Sequence, residues 1–130
     1  MMVKRLINNV QPLVVVKWIL RIGVFLTFFG HGYLAIHKNK HWYSYLETVG
    51  VSGSSIDYAM AIIGVLDLIV AFTTLIKPNK YILLWASLWA FSAALIRPIS
   101  GEPIWAFIER GSNWAIPLAL YYLVFLYKKE

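Results

Sequence analysis

Residues 58–76 form an apolar stretch long enough to cross a bilayer, and the one charge inside it, Asp67, falls near its middle. A charged side chain at that depth costs at least about 2.5–3.5 kcal/mol on an insertion scale, so it persists with a partner or a task. The chain therefore reads as an integral membrane protein with a polar interior. Arg21 and His31 in the first apolar stretch, with Arg97, Glu109, Arg110 and Asn113 around the last turn-back, are the groups available to meet it.

Of the 130 residues, 60% are hydrophobic and 14% charged, too apolar for a soluble domain. That length accommodates about four crossings of ~20 residues in one bundle. The first apolar segment is longer than a secretory core of about 7–15 residues, and no Ala-x-Ala-type site follows Gly30-His31-Gly32, so it is expected to stay as a membrane helix. The net charge of +6 does not point to nucleic acid, because the Lys and Arg residues flank apolar runs instead of forming a stripe. They read as topology signals and phospholipid contacts. The chain has no cysteine, which excludes disulfides, thiolate catalysis and iron–sulfur or zinc–thiolate sites of its own.

The expected fold is an all-α membrane four-helix bundle in one domain, with spans at about 13–36, 58–76, 81–96 and 106–127. Pro12 opens the first span after a short basic lead. Ser54-x-x-Asp57 has capping-box spacing before the second. The third enters through Lys77-Pro78-Asn79-Lys80 and is predicted to stop at Arg97-Pro98. In the fourth, residues 114–127 cover only about 21 Å against a hydrocarbon core of about 30 Å. It must borrow residues from 106 onward, which brings Glu109 and Arg110 to the hydrocarbon edge, and Pro117 leaves the Asn113 carbonyl without its helical donor.

Lys4, Arg5, Lys77, Lys80, Lys128 and Lys129 share one side of such a bundle, against Lys38 and Lys40 with the borderline Arg97 and Arg110. The positive-inside rule then puts both termini in the cytoplasm. In the 37–57 loop, Trp42, Tyr45, Leu46 and Val49 recur at helical spacing, which predicts a short helix lying on the outer membrane surface.

Gly64, Asp67 and Ala71 share one face of the second span, and Ala86, Ala90 and Ala94 one face of the third; both are stripes that admit close helix approach. Counting from the middle of the first span, Arg21 lies about 6 Å to one side, within side-chain reach of a mid-plane carboxylate, so an Arg21–Asp67 ion pair is expected. His31 lies about 9 Å outward and Asn113 and Glu109 about 5–11 Å outward. A polar pocket in the outer half, lined by His31, Glu109, Asn113 and Arg97, follows if these faces converge, with the mid-membrane Trp89 either facing lipid or stacking on a flat ligand. For Arg21 and Asp67, a register-fixing charge pair stands beside a proton or ligand site. For His31, a satisfied bundle histidine stands beside a haem or metal ligand. His37-x-x-x-His41 has metal spacing but no acidic neighbour within the motif, and no metal site is read from it. Lys17, Trp18, Tyr81 and Tyr127 read as interface anchors.

Arg97-Pro-Ile-Ser-Gly-Glu-Pro103, followed by Phe107-Ile-Glu-Arg-Gly-Ser-Asn-Trp-Ala-Ile-Pro-Leu-Ala-Leu120, resembles the DoxX-like family of small four-span bacterial and archaeal membrane proteins. Arg21-Ile-Gly23, Phe28-Phe-Gly-His-Gly32 and Gly64-Val-Leu-Asp67 are similar to its first and second helices. The resemblance implies a multi-pass protein of the cytoplasmic (inner) membrane, with Arg21, Asp67, Arg97, Glu109, Arg110 and Asn113 as family-type polar positions. Some members are subunits of membrane redox assemblies, including a thiosulfate:quinone oxidoreductase. Without cysteine, a redox role here needs a membrane or membrane-associated redox partner, or a bound quinone or haem. No self-contained catalytic motif is present. A non-catalytic or partner-dependent redox subunit, using the outer-half pocket for a quinone-like or other small amphipathic ligand, is the leading expectation; a small proton- or ion-coupled transporter or channel module within a homo-oligomer, and a purely structural subunit, are the alternatives.

Overall fold

A computed structural model describes Met2 and residues 12–127, among which all regular structure is helical. The basic residues Lys4, Arg5, Lys128 and Lys129, on which the topology expectation partly rests, lie outside the described residues. The order is α1 (Pro12–Ile36), a 3-10 turn (Lys40–Trp42), α2 (Tyr43–Thr48), α3 (Ser55–Ile76), α4 (Lys80–Ile99), α5 (Trp105–Ile108) and α6 (Gly111–Tyr121), closed by a π-turn (Tyr122–Leu126). Three of these helices, α1, α3 and α4, are long and apolar enough to cross a membrane. Their large side chains are exposed all round the outside, Ile19, Leu26, Ile62, Val65 and Leu88 among them, as a lipid-facing surface requires.

The packing is uneven. The α1–α3 contact is the most extensive, α6 lies mainly on α4 and secondarily on α1, and α3 and α4 touch sparingly although one short turn joins them. The small-residue stripes behave as their spacing predicts: Gly64, Asp67 and Ala71 on α3, and Ala86, Ala90 and Ala94 on α4, are all buried. Gly32 and Gly64 bring α1 and α3 together. A Cβ on Gly64 would stand 2.5 Å from Ile36 Cγ1 and 3.0 Å from the Gly32 carbonyl oxygen. The main core, Val24, Phe28, Val70, Ala71, Leu83, Ala86, Ala90 and Leu120, fills the centre of the bundle.

Three local expectations are corrected. First, the Ser54 side chain makes no capping bond. Asp57 instead accepts from the Tyr43 hydroxyl at 2.8 Å and lies 3.9 Å from Lys38 Nζ, tying the start of α3 to the loop before it. Second, α4 runs through Arg97-Pro98 to Ile99. Its end is closed by Gly101 N–H to Pro98 O (3.1 Å) and Glu102 N–H to Arg97 O (3.1 Å), a Schellman turn that requires the positive φ of Gly101 (105°). Third, the fourth apolar segment is not one continuous helix over 106–127. It breaks at Glu109 and Arg110, where Arg110 leaves helical geometry (φ −99°, ψ 16°). The uninterrupted part after the break, 111–126, rises only about 24 Å.

Candidate functional site

Asp67 projects from the small-residue face of α3 and is 3% exposed. One carboxyl oxygen, Oδ1, is buried without a hydrogen-bond partner, and Trp89 of α4 lines the same cavity as Asp67. Arg21 is elsewhere, so the expected Arg21–Asp67 ion pair does not form. The Arg21 guanidinium, 7% exposed, donates from Nε to Thr74 O (3.2 Å) and from Nη2 to Leu75 O and to Ile76 O (3.0 Å). It also packs over the Trp18 ring at 4.0 Å. The physical reason lies in the chain: the helical donor for the Thr74 carbonyl would be residue 78, which is proline and has no N–H. A guanidinium with several donors meets the three carbonyls better than it meets one carboxylate two turns away.

Where α3 and α4 stand apart, they enclose a cavity of about 380 Å³. Asp67, Met60 and Ile63 wall it from α3; Trp89, Ser92, Ala93, Leu95, Ile96, Arg97 and Ile99 from α4; His31 from α1. The roof is α2 and its flanks, and the residues facing the cavity are Trp42, Tyr45, Leu46 and Val49. These are the four positions whose spacing predicts the loop helix, and that helix is present with this face lining the cavity. Leu95 and Ile99 are exposed, so the cavity reaches the apolar outer surface of the bundle.

The roof is held by polar contacts. Arg97 Nη1 donates to the Tyr45 hydroxyl (2.8 Å), which donates to Glu102 Oε1 (2.9 Å), and Arg97 Nη1 lies 3.9 Å from Glu102 Oε2. Ser100 Oγ donates to Thr48 Oγ1 at 2.9 Å. Burial, and then the bond to Glu102, pushes the Tyr45 phenol above its ordinary value. Gly50, at φ 92°, closes the C-terminus of α2 with the same turn chemistry as Gly101, through Gly50 N–H to Glu47 O and Val51 N–H to Leu46 O. The turn-closing glycines and the Tyr45 bridge fix α2 over the cavity mouth. Arg97 keeps one group over: its Nε is buried with no partner.

His31, Arg97 and Trp89, expected at a pocket, do line the cavity, and Asp67 joins them. Glu109 and Asn113 do not. Glu109 pairs with Arg110 at 2.7 Å on a side chain 66% exposed, while Asn113 sits half-buried on α6, which packs against α4 and α1 away from α3. The helix break between α5 and α6 removes the i, i+4 relation that placed those two residues on one face. The His31 ring meets Trp42 edge-on at 5.7 Å. One face of Trp89 is stacked on Trp85, with centroids 5.6 Å apart and planes 12° from parallel, so at most the other face is free for a flat ligand. Tyr45, Met60 and Ser92 are cavity residues that the sequence reading did not assign. For Tyr45 a signal existed: a hydroxyl within an otherwise apolar helical face asks for a polar partner.

No protein family, curated protein or solved structure matches the chain at a significant level, so its likeness to the DoxX-like family rests on the motifs quoted above.

Proposed function

We propose that this chain is a DoxX-like, multi-pass subunit of the cytoplasmic membrane that holds a small amphipathic molecule, of the quinone type, in the α3–α4 cavity on behalf of a redox partner. In this reading α6 and its π-turn supply a fourth crossing and both termini face the cytoplasm, so that α2 and the cavity lie in the outer half. One observation carries it: a cavity of about 380 Å³ with mostly apolar walls and a few polar side chains, His31, Tyr45, Asp67, Ser92 and Arg97, that reaches the apolar outer surface of the bundle.

Two measurements test it. The protein purified from native membranes should carry a small lipid-soluble molecule that mass analysis detects. Added decyl-ubiquinone should quench tryptophan fluorescence saturably, and Trp89→Phe should reduce that quench. No extractable molecule and no saturable quench would overturn the proposal. A second reading, a proton-coupled transporter, is favoured by the absence of any basic side chain paired with Asp67 among the described residues. Proton flux into liposomes that disappears in Asp67→Asn is its signature.

A further inference from the structure

We infer that the molecule in the α3–α4 cavity is a long-chain amphiphile drawn from the bilayer, seated with an uncharged head on the His31 ring while its tail leaves sideways between α3 and α4. This rests on the reading of the cavity as a ligand site and narrows what the site takes. Five polar side chains line the walls: His31, Tyr45, Asp67, Ser92 and Arg97. Ser92 Oγ donates to the Leu88 carbonyl (2.9 Å), and the Tyr45 hydroxyl is held between Arg97 and Glu102. Arg97 gives Nη1 to that bridge and its Nε is buried, while Asp67 is 3% exposed with Oδ1 buried. His31 differs. Its ring meets Trp42 edge-on and makes no hydrogen bond among the described residues, yet neither ring nitrogen is among the atoms buried without a partner. A half-buried imidazole whose nitrogens are open and unclaimed is where a polar head can dock.

A neutral imidazole donates from one nitrogen and accepts at the other, and its tautomer decides which of them meets the ligand. It serves a carbonyl head as a donor and a hydroxyl head as an acceptor, the two groups that the oxidised and reduced forms of a quinone-type head carry. Nothing calls for an ionic head, since Arg97 is paired with Glu102 and Arg110 with Glu109. The tail follows from the shape of the site. A cavity of about 380 Å³ lies at the small end of ligand clefts, roughly 300–1,000 Å³, with room for a ring-sized head and not for a long tail besides. Leu88, Ser92, Leu95 and Ile99 form one exposed stripe of α4 at i, i+4, i+7 and i+11, and the last three also line the cavity. The cavity wall is thus continuous with the surface that faces lipid, and a tail can lie along it without crossing water.

The test uses the full chain in detergent and two probes, decyl-ubiquinone and a longer ubiquinone with an isoprenoid tail, each titrated as a mole fraction of the micelle against tryptophan fluorescence. His31→Phe keeps a ring against Trp42 but removes both nitrogens, and should weaken decyl-ubiquinone binding at least about tenfold, equivalent to about 1.4 kcal/mol. Should that variant not fold, His31→Ala carries the same expectation. His31→Gln, whose amide also donates and accepts, should keep most of the affinity. The longer ubiquinone should bind about as tightly as the shorter, because the extra tail lies outside the cavity. Saturable binding that none of these substitutions weakens overturns the seat on His31 while the cavity stands as a site, and so does an equal loss in His31→Gln and His31→Phe, which would make the ring a wall and not an anchor. Exclusion of the longer ubiquinone overturns the sideways exit, because the tail is then enclosed. If the unaltered protein binds neither probe saturably, the ligand reading itself falls.

Discussion

Helix α3 presents two contrasting faces. Against α1 it is closed: Gly32 and Gly64 let the backbones approach until no Cβ would fit, and Arg21 satisfies three carbonyls at the end of the helix. Against α4 it is open, and the gap holds a cavity with Asp67 on its wall. A buried cation on the first face has every nearby acceptor it needs, while a buried carboxyl on the second lacks a partner for one oxygen. The same helix thus carries a structural charge and a charge that structure alone does not explain. Buried polarity is informative about function only after its partners have been accounted for.

The contrast can be broken most sharply at Arg21. Arg21→Leu should destabilise the protein by about 3 kcal/mol or more, since charge-assisted bonds to buried carbonyls disappear together. Denaturation in mixed micelles would read it, and a near-neutral result would mean that those carbonyls find other donors. Combined with Asp67→Leu, the effect should be additive within about 0.5 kcal/mol, because the two side chains share no contact. Strong coupling would restore the ion pair that the structure replaces.

Gly64→Ala comes next. Ile36 and the α1 backbone would have to move, at a cost of about 1–3 kcal/mol. On the open face the sign should reverse: Asp67→Leu removes an unmet carboxyl from an apolar wall and should stabilise the empty protein by about 1–2 kcal/mol. A loss of stability there would show that Asp67 has a structural partner after all.

The smallest effect belongs to the roof. Tyr45→Phe keeps the ring but cuts the bridge between Arg97 and Glu102, and should weaken protection of residues 43–48 from hydrogen exchange by about 1 kcal/mol. The Tyr45 phenol is raised in the folded protein, so its contribution is complete below the unfolded value of about 10 and is lost as pH rises through the folded value. Protection of α2 should therefore hold through neutral and mildly alkaline solution and fall only above about pH 10. Earlier loss would place the latch elsewhere.

Much of the closed face was legible in the sequence because periodicity decides it. The stripes Gly64-Asp67-Ala71 and Ala86-Ala90-Ala94 identify the buried sides of two helices, and span length identifies the helices themselves. The apolar face of α2 was legible too, but not what it covers, since a membrane surface and a cavity roof ask for the same side chains. The partner of Arg21 was misread because depth along the membrane was counted and free carbonyls were not; Pro78 marks where they lie. Glu109 and Asn113 were misplaced for a different reason. Their shared face assumed an unbroken helix, and the break at Arg110 depends on how α5 and α6 dock, which no local pattern reports.

By mean hydropathy α3 is also the most apolar of the three candidate spans, although it alone carries a carboxylate near its middle. Leu, Ile, Phe and Val each favour insertion by about 0.3–0.6 kcal/mol, so several of them offset one aspartate. The helix is therefore equipped to enter the bilayer on its own, before α4 follows and before any cavity exists to receive Asp67. During synthesis the acid group travels as tolerated cargo, and its surroundings are assembled around it afterwards. A second charge near the middle of α3 would exhaust that tolerance, so biogenesis itself limits how polar this site can become.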